Sequence, residues 1–264
     1  MEALVKDCRR MGNSAAVYVP KDWENRKVLV RLLSPRELAL DALQEHMPYV
    51  MGAYLYGSFV RGEETPESDI DVLVVASRKF EVRKQPLLDI VVVTPSEVDS
   101  ILEKDPVQLV PIIAEAEPLL NDALLQDLKG RKIYPARYMK LIKDNNRILK
   151  ENKELIEKKA KIGAVIYSLM IRLKAIYLVR KLLSSEKYTT VGYTQYLLSQ
   201  GLDEEGYNGL NRVYRAIRDD KPLPSEVVEM ENILLMQQIL ERENSSLKEL
   251  IEDGEKKQAN QKED

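Results

Sequence analysis

The sequence predicts an α+β fold in three parts: a small N-terminal β-hairpin segment, a mixed-sheet domain and a C-terminal α-helical bundle. Three observations carry this. Residues 35–130 interleave short apolar runs, YLYGS, IDVLVVA and LLDIVVVT, with amphipathic stretches of helical period. From about Arg131 to Arg242 strand signals all but vanish, and apolar residues recur at helical spacing. Residues 1–34 are instead short runs rich in Val, Tyr and Leu, broken by glycine and proline. The expected domains are therefore 1–34, 35–130 and 131–244. A polar stretch without aromatics, 245–264, is expected to be a disordered tail.

The elements follow in order. The N-terminal segment reads as strands around Gly12-Asn13-Ser14, then AAVYV, a turn at Pro20-Lys21-Asp22-Trp23, and a last strand, KVLVRLL. Trp23 is expected to anchor a small core. Pro35 opens an amphipathic helix, PRELALDALQEHM, at a first-turn position where its missing N–H is no loss. Three strands follow, then the helical segments PSEVDSILEKD and DALLQDLKG. In the bundle, Tyr138, Leu141, Ile142, Ile148, Leu149, Leu155 and Ile156 mark one helical face. The helix from Ile162 to Leu183 is apolar on most sides, as a central helix is. Later helices are expected near 190–200, 203–218 and 224–241.

Composition excludes several classes. The 264 residues, 44% hydrophobic, suffice for a sizeable core. With 43 acids against 40 bases, the net charge of -3 singles out no partner. Cys8 is the only cysteine, which excludes an intramolecular disulfide and a cysteine-type zinc site and suits a reducing, cytoplasmic setting. No apolar signal core opens the chain. Ile162 to Val179 approaches the length of a membrane span, but Arg172 and Lys174 interrupt it. One central charge costs about 2.5–3.5 kcal/mol on insertion scales, so a buried helix and no membrane are expected. These two cations then need a structural partner or a polar cleft. Between Lys129 and Lys181 the count is 16 bases against four acids, a local +12. That region could hold an anionic substrate such as RNA, face acids of the same chain, or be a solvated helix surface.

The chemistry concentrates in YLYGSFVRGEETPESDIDVLVV. A strand runs into Gly57-Ser58, where glycine permits a tight turn and a close ligand. Backbone N–H groups at a helix start and the Ser58 hydroxyl are donors suited to phosphate. Asp69 and Asp71 are two apart, so period-two geometry puts both carboxylates on one strand face. Carboxylates so placed repel unless a hard cation such as magnesium lies between them. Asp89 is a third acid inside an otherwise apolar strand, where burial alone would be costly. It could complete a metal site or take a proton from an attacking hydroxyl. The alternative for Asp69 and Asp71 is a turn-capping role after Pro66-Glu67-Ser68.

Those residues resemble the signature of the polymerase-beta-like nucleotidyltransferases, most closely their minimal form: GSFVRG, a spacer, ESDIDVLVV and a later acidic strand residue. The resemblance spans Tyr49 to Thr94. It implies two magnesium ions held by Asp69, Asp71 and Asp89, which would be the catalytic carboxylates. It implies nucleotide contacts from Gly57, Ser58, Arg61 and Ser68. The implied reaction moves a nucleoside monophosphate from a nucleoside triphosphate, ATP among them, to an acceptor hydroxyl on RNA, DNA, protein or a small molecule. Pyrophosphate leaves. Residues Val5 to Leu33 resemble the swapped hairpins of AbrB-like and antitoxin-type proteins of archaeal kind, which implies a homodimer. Many such relatives bind DNA, and Arg9, Arg10, Lys21, Arg26, Lys27 and Arg31 are the available phosphate contacts. A packing or dimerising hairpin without nucleic acid remains open, as does an antitoxin-like regulator as the alternative function. Several minimal transferases work with helical HEPN partners, some of them ribonucleases, whose signature histidine has no counterpart here. The only histidine, His46, precedes the motif and is expected on a helix surface.

Overall fold

The structure is a computed structural model, and it describes residues 6, 8–30, 32, 34–65, 68–83, 85, 87–224 and 228–260, the side chains of 255–260 excepted. It is mixed α+β, with a two-stranded hairpin, a four-stranded sheet and a set of helices. The chain divides into two compact units, Met1–Val93 with Ala116–Leu125, and Thr94–Glu115 with Gln126–Asp264.

In the first unit, β1 (Arg9–Met11) and β2 (Ser14–Ala16) pair antiparallel around Gly12. Lys21–Trp23 forms one 3-10 turn, and Trp23 is half-buried rather than a core anchor. No strand forms among the described residues of KVLVRLL: 27–30 has no regular structure, and Leu29 and Leu32 are 91% and 90% exposed. A strand persists only where another strand takes its backbone groups, which composition does not report. Arg31 lies outside the described residues. α1 (Pro35–Leu43) starts as expected, with the Ser34 hydroxyl accepting the Glu37 N–H at 3.3 Å and Pro35 at the first turn. It ends early, and Gln44–Tyr49, containing Pro48, tightens into 3-10 helix. His46 sits there, half-buried and stacked on Phe80 at 4.3 Å between centroids.

The sheet has the order β5-β4-β3-β6. β3 (Val50–Tyr56) and β4 (Ile70–Ala76) are antiparallel and central, and a short helix, α2 (Ser58–Arg61), lies between them in sequence. β5 (Leu88–Val93) runs parallel to β4, and β6 (Glu117–Leu120) antiparallel to β3. The sequence pattern does not show β6, because EPLL is short and carries Pro118; proline is tolerated at a sheet edge. Ala53, Leu55, Ile70, Val72, Val74 and Ala76 form one face and pack with Ala39 and Leu43 of α1. Tyr54, Leu73 and Val75 alternate to the other face and are buried too, so β4 is covered on both sides, as its unbroken apolar run requires. Burial, with the Asp122 charge second, pushes the Tyr54 phenol up to about 12.

The second unit holds α3 (Pro95–Lys104), α4 (Val110–Glu115), the end of α5 (Asp122–Gly130), α6 (Met139–Glu157), α7 (Ile162–Leu183), α8 (Thr190–Ser199), α9 (Glu204–Arg218) and α10 (Met230–Asn260). A reciprocal capping box of Thr94 and Glu97 starts α3. α7 is long and apolar enough to cross a membrane. Here Val165, Ile166, Leu169, Leu173, Ile176 and Val179 are buried in the bundle core. α6 and α10 are antiparallel: the Asn145 amide donates to Asn244 Oδ1 at 2.9 Å, and Gln237 Nε2 donates to the Leu149 carbonyl at 3.0 Å. Both helices bury a heptad stripe, Tyr138, Ile142, Asn145, Leu149, Asn152 and Ile156 facing Ile251, Leu247, Asn244, Leu240, Gln237 and Ile233. The polar layers therefore alternate with apolar ones.

One expectation is corrected by this seam. The tail expected from 245 is helical to Asn260, with Leu247 and Ile251 fully buried; its last four residues lie outside the described ones. Polar composition had masked a continuing heptad. Arg172 finds its partner inside the unit, donating to Asn145 Oδ1 at 2.7 Å, and burial lowers its pKa. Lys174 lies 5.7 Å from the Tyr188 ring centroid. Part of the basic stretch is matched by acids of the same unit: Arg131 with Asp99 and Asp127, Lys140 with Asp105, and Arg180 with Glu243.

Candidate active site

β3 ends at Tyr56 and the chain turns at Gly57, where φ is 80° and ψ is -151°. That region is essentially confined to glycine. A second reason for glycine is contact. A Cβ at 57 would lie 2.9 Å from Asp71 Cγ and nearer still to its Oδ2. The Asp71 carboxylate thus rests against the Gly57 backbone, at the start of Ser58.

α2 is a single turn, closed by Arg61 N–H on the Gly57 carbonyl at 3.2 Å and Glu63 N–H on the Ser58 carbonyl at 2.9 Å. Gly62, at φ 66° and ψ 30°, ends it in the left-handed conformation that glycine adopts without strain. Arg61 Nε meets Glu63 Oε2 at 2.8 Å, and both side chains are only 16% exposed. Ser68 closes the following turn: its hydroxyl accepts the Thr65 N–H at 2.9 Å and its N–H donates to the Thr65 carbonyl at 2.9 Å. Pro66 and Glu67, between them, lie outside the described residues.

β4 begins one residue after Asp69, which is exposed; Asp71 is the second strand residue and is half-buried. The parallel register sets Asp71 beside Asp89, and the antiparallel register sets Asp71 opposite Tyr56. Directly paired residues share a sheet face, and neighbouring strands are about 4.8 Å apart. Tyr56, Asp71 and Asp89 therefore form one row on the face away from α1, beside the Gly57 turn. Asp89 is exposed, so the cost foreseen for burying it does not arise: β5 is an edge strand.

The donor set suits a hard divalent cation in kind, with the Asp71 and Asp89 carboxylates in register on neighbouring strands. It is not a closed ligand shell. Among the described residues no three His, Cys, Asp or Glu side chains stand close enough to hold one ion. Gly57, Ser58 and Arg61 are thus brought to one turn and Asp71 and Asp89 to one sheet row, while Asp69 precedes β4 and Ser68 shapes the return loop. Sequence reasoning passed over Tyr56 and Glu63. The available signals were register with Asp71 and an acid two residues beyond Arg61 across a glycine.

Comparison with known proteins places this geometry. A family model described as nucleotidyltransferase domain matches residues 36–189. Solved structures that align with the chain include a nucleotidyltransferase-like protein from Exiguobacterium sibiricum 255-15, at 17% identity, 81% of this chain, 75% of that chain and a TM-score of 0.35. Another is spectinomycin adenyltransferase AAD(9) from Enterococcus faecialis with ATP and spectinomycin, at 15% identity, 81% and 98% coverage and a TM-score of 0.42. No curated protein sequence matches. The matched span exceeds half of the 264 residues and contains the turn, the three aspartates and the sheet that carries them, and on that basis the chain belongs to the nucleotidyltransferase family of enzymes.

Proposed function

We propose that the protein transfers a nucleoside monophosphate from a nucleoside triphosphate to an acceptor hydroxyl, with release of pyrophosphate, at the corner formed by Gly57, Ser58, Asp69, Asp71 and Asp89. The observation that carries the reading is the contact of the Asp71 carboxylate with Gly57, in register with Asp89. It joins a phosphate-suited turn to a pair of carboxylates. Asp69, Asp71 and Asp89 would hold magnesium, which when bound lowers the acceptor's pKa and neutralises charge that develops on the phosphoryl oxygens. The chain's own groups position the rest. The Ser58 hydroxyl and the Gly57-Ser58 backbone grip the triphosphate, with Arg61 one turn along on the same side of α2. Asp89, exposed at the sheet edge, would receive the acceptor's proton.

The test is transfer of labelled nucleotide from each of the four triphosphates, with magnesium, to small hydroxylated acceptors and to total RNA and protein. Asp71→Ala combined with Asp69→Ala is expected to abolish transfer at unchanged fold. Persistent transfer in that variant sinks the site.

A second reading concerns the N-terminal segment. Leu29 and Leu32 are almost fully exposed, with Val28 and Val30 also in the open. A run of apolar residues so exposed fits pairing with a second copy of the chain, in the manner of the AbrB-like hairpins. Arg9 and Arg10 on β1 would then be doubled in the dimer, which suits DNA phosphates. Light scattering on wild type and on Leu29→Asp with Leu32→Asp decides the dimer: a mass unchanged by the substitutions refutes it. Salt-dependent DNA binding that requires residues 1–34 supports the regulatory variant of this reading.

A further inference from the structure

Glu63 has no part in the chemistry above, yet it touches the turn that performs it. The left-handed Gly62 folds the chain back beneath α2. This brings the Glu63 N–H onto the Ser58 carbonyl and its carboxylate onto Arg61 Nε, at 2.9 Å and 2.8 Å. Ser58 and Arg61 stand three apart in a single helical turn, so they lie on the same side. One residue therefore ties down the turn twice, by its main chain on the Ser58 carbonyl and by its side chain on Arg61, the group assigned to the phosphates.

The pair is well suited to fixing a direction. A guanidinium is a planar fork, and a carboxylate on Nε sets the plane in which its other donors lie. At 16% exposure each, the two side chains meet largely out of solvent.

The geometry points to Glu63 as a positioning residue that orients Arg61 for the triphosphate of the bound nucleotide. This inference rests on the nucleotidyl-transfer reading of the site. It names a residue whose effect is on binding of the phosphate chain rather than on the chemical step.

The test uses the full chain with magnesium and two probes, ATP and inorganic tripolyphosphate, measured by calorimetry alongside steady-state kinetics and thermal unfolding. Glu63→Ala is expected to weaken both probes by the same factor, about tenfold, and to raise KM for the nucleotide while kcat changes less than threefold. Glu63→Gln keeps an acceptor for Arg61 Nε and is expected to lose only about threefold. Unchanged affinity in a folded Glu63→Ala overturns the proposal, as does weakened ATP with unaffected tripolyphosphate. Should Glu63→Ala not fold, Glu63→Gln carries the test, and wild-type affinity for both probes overturns it. Asp71→Asn separates the two levels of the argument. If Asp71→Asn keeps full transfer, the site itself is misread. If it loses transfer while the Glu63 variants bind triphosphate normally, only the positioning role falls.

Discussion

Gly57→Ala isolates the contact on which the site depends. Two costs follow from the structure. The backbone at φ 80° and ψ -151° lies in a region almost reserved for glycine, which costs a side-chain-bearing residue about 1–3 kcal/mol. The new methyl also displaces the Asp71 carboxylate, and forcing that side chain off its rotamer adds about 0.5–1.5 kcal/mol. The sum is about 1.5–4.5 kcal/mol. Gly62→Ala provides the comparison, because that glycine also has positive φ but a Cβ there meets nothing within 4 Å. It should cost about 1 kcal/mol. Urea unfolding followed by circular dichroism compares the two stabilities. Labelled-nucleotide transfer gives the functional side: moving a catalytic carboxylate by about 1 Å typically costs on the order of a hundredfold. A Gly57→Ala protein as stable as Gly62→Ala and as active as wild type would refute the argued role of the contact.

Further expectations concern the helical unit. Leu247→Ala should lose about 2–5 kcal/mol in urea unfolding, because that side chain is fully buried in the seam between α6 and α10; a wild-type midpoint would return the segment to the status of a tail. Asn145→Leu should cost about 1–3 kcal/mol, since it strips partners from both Asn244 and Arg172. Asn152→Leu should be within about 1 kcal/mol of wild type, because its buried amide nitrogen has no partner to lose, and the difference between the two variants is the test. Tyr138 is pushed up to about 12 by burial. Its folded pKa exceeds the ordinary value of about 10, so its contribution is fully present below pH 10 and lost as pH rises towards 12. Alkaline titration of tyrosinate absorbance together with unfolding should show this loss, and a midpoint flat from pH 9.5 to 12 would contradict it.

Much of the sheet, and the turn and strand that carry the candidate site, was readable from residue order, for identifiable reasons. IDVLVVA is apolar without interruption because β4 is buried on both faces, and Gly57-Ser58 and the aspartates are residue types that few purely structural roles require together. What escaped was contextual. KVLVRLL has the composition of a strand, but strand formation depends on a partner. The α6 stripe was read from apolar residues alone, whereas the buried positions include Asn145 and Asn152, and the tail was judged polar although Leu247 and Ile251 continue the heptad. Polar residues in a seam are invisible to a hydrophobic pattern. Arg172 was flagged as needing a partner, but only the antiparallel register of α6 and α10 reveals that the partner is one of those asparagines.

The placement of the carboxylates follows from the same pattern that folds the sheet. In β5, Ile90 and Val92 pack with the cluster under α1, alternating with Asp89 and Val91. In β4, Ile70, Val72 and Val74 do the same, which leaves Asp71 on the other face. A slip of one residue in either strand would turn an aspartate into the apolar layer and an isoleucine or valine out of it. Both changes are unfavourable, so the register that buries the aliphatic residues is also the register that sets Asp71 beside Asp89. The site therefore needs no device of its own to align its carboxylates across the two strands. It needs one only at the turn, where Gly57 lets the backbone reach Asp71 and Glu63 ties the end of α2 to its beginning.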